Sequence, residues 1–156
     1  MRASIVAQLA IVGATLGCAA STVTQVDAAN TPSLAVEQFI LAASDSNLTR
    51  MSELWGTEKG AAASTGEPKE YGRRMVIMQT YLRGVAVRTL GEVSTTKADR
   101  TLVTTELSRG PCKVTLPVTT VRAGNRWIVN QFDLALAGQV NKPCEGSGMP
   151  SGNPGQ

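Results

Sequence analysis

The spacing of apolar residues changes once along this chain, at Gly84, and that change limits the fold more than any other feature. Before Gly84 the apolar side chains recur every three or four residues, as on one face of a helix; after it they alternate, as on one face of a strand. Thr31-Pro32 makes a cap and first-turn pair, and Val36, Phe39, Ile40 and Ala43 follow at helical spacing. Ser44 to Asn47 interrupts the helix, with Asp45 expected to cap the next one. Leu48, Met51, Leu54 and Trp55 form a second stripe that Gly56 ends. The small, polar stretch 56–66 reads as a mobile loop. A third helix is expected to start at Glu67-Pro68, with Tyr71, Met75, Met78 and Leu82 on one face and Gly84 as its stop.

In the second half, Val85, Val87 and Val93 are expected on one strand face. Thr101, Val103, Thr105 and Leu107 repeat the alternation, as do Cys112, Val114, Leu116 and Val118. Pro117 lies inside that third run, and Val121 falls on the other parity; a bulge or an edge position accounts for both. Ala123-Gly124-Asn125 reads as a tight turn, and residues 126–136 as a fourth strand carrying Trp127, Ile128, Val129 and Phe132. Short turns between strands imply an antiparallel meander. The expected class is therefore α+β: three N-terminal helices packed on a four-stranded, curved antiparallel sheet.

The first residues are of a different kind. Met1-Arg2 precedes a mostly apolar run to Leu16, shorter than the ~20 residues a bilayer span needs, and small residues follow. That order marks an export signal. Thr15-Leu16-Gly17-Cys18 resembles the lipobox of bacterial lipoproteins, with Thr15 where an aliphatic residue is usual. The resemblance implies a lipid on the Cys18 sulfur and cleavage before it. Ordinary cleavage after Ala28, releasing a soluble periplasmic or secreted protein, is the alternative. The expected organisation is a signal over 1–17, a tether over 18–31, one domain over 32–144, and a Gly/Pro/Ser-rich disordered tail over 145–156. With Cys18 acylated, Cys112 and Cys144 remain as a pair, and an exported pair is expected to form a disulfide.

Helix, helix, long helix, then sheet, closing on Val121-Arg122-Ala123-Gly124-Asn125-Arg126-Trp127-Ile128-Val129, resembles the nuclear transport factor 2-like, or cystatin-like cone, superfamily. The resemblance implies a pocket between the long helix and the sheet, with Tyr71, Met75, Met78 and Trp127 as candidate lining. The family often carries an extra short strand ahead of the sheet; none is legible here. Its dehydratase-like members use His with Asp, and this chain has no histidine. Its isomerase-like members use Tyr with Asp, for which Tyr71 and Asp133 are the candidates. Core packing for Tyr71 and an outward strand position for Asp133 are the plainer reading.

No catalytic set, cofactor motif or metal-ligand spacing is evident. The formal charge is +3, with Arg73-Arg74 the single adjacent basic pair and only two each of Trp, Tyr and Phe. Nucleic-acid readers cluster cations and stacking aromatics, so a nucleic-acid partner is not expected and Arg73-Arg74 reads as a solvated helix face. The function expected is a lipid-anchored module of the cell envelope, engaging the membrane through its anchor and either another envelope protein or a small apolar ligand. A cone-fold enzyme and a ligand-free structural protein are the alternatives.

Overall fold

The computed structural model describes residues 29–142 and 144; Cys18, the leader and the tail beyond Cys144 lie outside the described residues. The element order is α1 (Pro32–Ser44), α2 (Leu48–Leu54), β1 (Gly56–Thr57), β2 (Gly60–Ala61), α3 (Ala62–Thr65), α4 (Tyr71–Leu82), β3 (Ala86–Ser94), β4 (Arg100–Arg109), β5 (Cys112–Ala123), β6 (Arg126–Phe132), α5 (Leu134–Ala137) and a 3-10 turn, Gly138–Asn141. The α+β class and the four-stranded antiparallel meander, order β3-β4-β5-β6, are as expected. The helix count is not. Among the described residues four helices rather than three precede the sheet, and α5 follows it. The stretch 56–66, expected as a loop, is a short hairpin and α3, elements too short to leave a periodic signal.

The helices form where their apolar stripes can be covered. Thr31 Oγ1 accepts from Leu34 N at 3.2 Å, and Pro32 opens α1. Val36, Phe39, Ile40 and Ala43 are then fully buried as α1 crosses the sheet. Asn47, not Asp45, caps α2: its Oδ1 accepts from Arg50 N at 2.9 Å, while Asp45 closes α1. The long helix expected from Glu67-Pro68 is α4, which begins at Tyr71, later than expected, and buries Met75, Met78 and Leu82 against α1 and α2. Ala29, placed in the expected tether, is buried, and its carbonyl accepts from Trp127 N at 2.8 Å.

In the sheet, Val103, Thr105 and Leu107 of β4 face Val118, Leu116 and Val114 of β5 on the core side. The buried hydroxyls are satisfied: Thr105 Oγ1 donates to Val103 O, and Thr120 Oγ1 to Thr101 O. Two bulges reset the faces. In β3 the register shifts between Thr89 and Gly91, leaving Leu90 unpaired. Val87 therefore faces the core opposite Leu107, whereas Val93 pairs with Leu102 on the other face and is 60% exposed. Val93 was expected to share the face of Val87; one extra residue reverses the parity. Pairing of β4 with β5 runs unbroken through Pro117, so the expected bulge is not there. The second bulge belongs to another strand: opposite Thr119 and Thr120, β6 carries Asn130 as its extra residue, and β5 itself has none. β6 stops opposite Val118, so no strand on that side needs the N–H that Pro117 lacks.

Glu106 lies on the reverse face, paired with Arg88 at 3.1 Å and Lys113 at 3.3 Å. Partial desolvation acts to raise its carboxyl, but hydrogen bonds and charge from Lys113 and Arg88 outweigh it and hold the group below its ordinary 4.5. A lowered folded-state value contributes stability above the unfolded value and loses it as pH falls through the folded one. Acidification below pH 4.5 is thus expected to narrow the stability gap between wild type and Glu106→Gln, read as converging urea midpoints. A gap that stays constant to the acid limit would remove this pairing from the account.

Candidate binding cleft

A cleft of about 520 Å³ opens between α4, the end of β6 and the segment around β1. α4 supplies Arg74, Ile77 and Met78; β6 and the residues after it supply Asn130, Gln131, Phe132 and Leu134; Trp55, Gly56, Thr57 and Pro68 complete the wall. Each part has a local cause. Residues 74, 77 and 78 share one side of a helix because three- and four-residue steps stack there. Phe132 is held by an edge-on contact with Phe39, ring centroids 6.1 Å apart. Asn130 enters the lining at the β6 bulge, and bulges re-aim side chains in this way.

The bulge residue also ties the wall together. Asn130 Nδ2 donates to Gly56 O at 2.7 Å, and Trp55 makes a parallel bridge to Val129. The β1–β2 hairpin, a separate two-stranded sheet, thereby lies beside β6. Gly56 has to be glycine here: a Cβ would sit 2.2 Å from Gly60 O and 2.9 Å from Ala61 Cα, both backbone atoms. Gly56→Ala is expected to cost about 1–3 kcal/mol, as overpacking does, in urea unfolding. A cost within error would mean that the hairpin can open freely.

Of the four residues expected to line a pocket, Met78 alone lines this one. Met75 is one turn too deep, 2% exposed in the core between helices. Tyr71 packs at the edge of that core, and Trp127 lies at the far end of β6, paired with Arg122 near the Gly124 turn. Asp133 is not on a strand. It follows β6, and its Oδ1 accepts from Leu136 N at 2.9 Å as the cap of α5. Neither Tyr71 nor Asp133 is part of the cleft wall.

Arg74, in sequence half of a solvated basic pair, is the one charged residue in the wall. Among the described residues its guanidinium makes no ion pair. Its three-residue offset from Ile77 was the available signal. Among the described residues no three or more of Cys, Asp and Glu gather as a metal-binding group would. Cys112 and Cys144 are joined by a disulfide, Cα atoms 5.3 Å apart, beside the turn between β4 and β5.

No family model and no curated protein matches the chain. Among solved structures, the chain is similar to an NTF2-like protein of unknown function from Cytophaga hutchinsonii. The identity is 10% and the TM-score 0.39, over 66% of this chain and 90% of that one.

Proposed function

We propose that this chain is an exported, lipid-anchored accessory module of the cell envelope that holds a small apolar ligand in the cleft between α4 and β6. The cleft carries the reading. Trp55, Ile77, Met78, Phe132 and Leu134 give it an apolar wall, and its volume falls in the range of small-molecule sites, roughly 300–1,000 Å³. Export is supported by the Cys112–Cys144 disulfide, because such bonds persist in oxidising compartments. The leader and Cys18 support anchorage. Among the described residues no helix is long and apolar enough to cross a membrane, and attachment in this reading is through the acyl group.

A cone of the nuclear transport factor 2-like kind is part of the proposal, supported by helices preceding a four-stranded meander and by the short hairpin beside β6. Binding is preferred to turnover because the one Tyr/Asp pair that isomerase chemistry would use is absent from the cleft wall, with the Asp133 carboxylate engaged in capping a helix.

Two measurements test the proposal. Growth with radiolabelled palmitate should label the wild-type chain in the membrane fraction, and Cys18→Ala should abolish the label. Label retained in Cys18→Ala would overturn the anchor. Native mass spectrometry of the chain extracted from membranes should show an added small molecule, lost in Ile77→Trp, which fills the cleft. A mass equal to that of the bare chain for wild type as well as for Ile77→Trp would overturn the ligand.

A further inference from the structure

The geometry points to a ligand with a single carboxylate on an apolar body, its head taken by Arg74. This inference rests on the cleft being a ligand site and adds the ligand's chemical class. The wall is apolar over most of its residues, so it selects an apolar body. Among its lining residues are one cation and no acid. A cation at the mouth of an apolar site favours an anion and repels an amine, and the guanidinium fork matches a carboxylate through two parallel N–H donors. One unpaired arginine balances one negative charge, which favours a monoanion over a dianionic phosphate. Amide groups stand in the same wall. Asn130 spends one amide hydrogen on Gly56 O and retains a second, and the Gln131 side chain makes no hydrogen bond among the described residues. Both can donate to a carboxylate beside the arginine.

Arg74 is exposed on α4 and is not among the residues that helix buries, so it can be changed without disturbing the core. The experiment compares octanoate, octanol and octyltrimethylammonium, which share a chain and differ in the head. Titration calorimetry is run on the mature full-length chain in phosphatidylcholine nanodiscs, with empty discs subtracted. Wild type should bind octanoate about tenfold more tightly than octanol, the effect of one charge-assisted hydrogen-bonded head. It should bind the ammonium most weakly. Arg74→Gln should bring octanoate to the level of octanol and leave octanol unchanged, and Arg74→Lys should keep part of the preference. Raising the salt should weaken octanoate in wild type only. Equal binding of octanoate and octanol by wild type, or a preference that survives Arg74→Gln, overturns the carboxylate and leaves the cleft as an apolar site. No binding of any of the three, with Ile77→Trp indistinguishable from wild type, overturns the ligand site itself.

Discussion

Phe39→Ala is expected to lower the unfolding free energy by about 3–5 kcal/mol, the usual cost of emptying a buried phenylalanine site. Phe39 is fully buried, and its ring meets Phe132 edge-on at 6.1 Å. It therefore joins α1, which crosses the sheet, to the last residue of β6. The void would be bounded by strands on one side and by a helix packed on α2 and α4 on the other, so little collapse can fill it. Phe132 and Leu134 also line the cleft, and the same variant should loosen that wall. The check is a urea titration together with a thermal melt, where a fall on the order of 15 °C is expected for a domain of this size. A loss under about 1 kcal/mol would mean that α1 is not fastened to the sheet at this point.

Removing the disulfide should have a comparable effect. The double variant Cys112→Ser/Cys144→Ser avoids a stray thiol and opens a loop whose ends lie 32 residues apart. Loop closure of that length stabilises by roughly 3–4 kcal/mol in the chain-entropy model. The bond also fastens α5 and the 3-10 turn, which pack against β5 and bury Ala137 and Val140. Beyond the global loss, amides at residues 134–141 should exchange faster than those of β4 and β5, since the released end opens locally first. Coincident unfolding curves for oxidised wild type and the double variant would show that the crosslink contributes nothing to this fold.

The parts that could be read from the sequence are those with a long period. α1 and α4 each repeat an apolar step over three turns, and β4, β5 and β6 alternate around two-residue turns with a left-handed glycine at Gly110 and Gly124. Elements of two to four residues repeat nothing, and so the β1–β2 hairpin, α3 and α5 were invisible. The phase slip at Val121 reads as a bulge in β5 but is none: β5 keeps its register with β4, and Val121 is buried on the face opposite Val118, while the bulge is in β6 and leaves no mark on the β5 pattern. The candidate site was harder still. Helical spacing put Met75 and Met78 on one face correctly, but whether a face meets core or cleft depends on what stands opposite. Asn130, Trp55 and Arg74 come together only through the hairpin and the bulge, neither of which has a periodic signature.

The two tethered points of the fold lie far apart. Ala29 is fixed to Trp127 beside the Gly124 turn, and Cys144 is fixed to Cys112 at the other end of β5. β5 runs from Cys112 to Ala123, so these points are separated by roughly 35 Å of extended chain. Tension applied through residue 29 would therefore load the β5–β6 turn first and reach the crosslinked corner only through the length of β5.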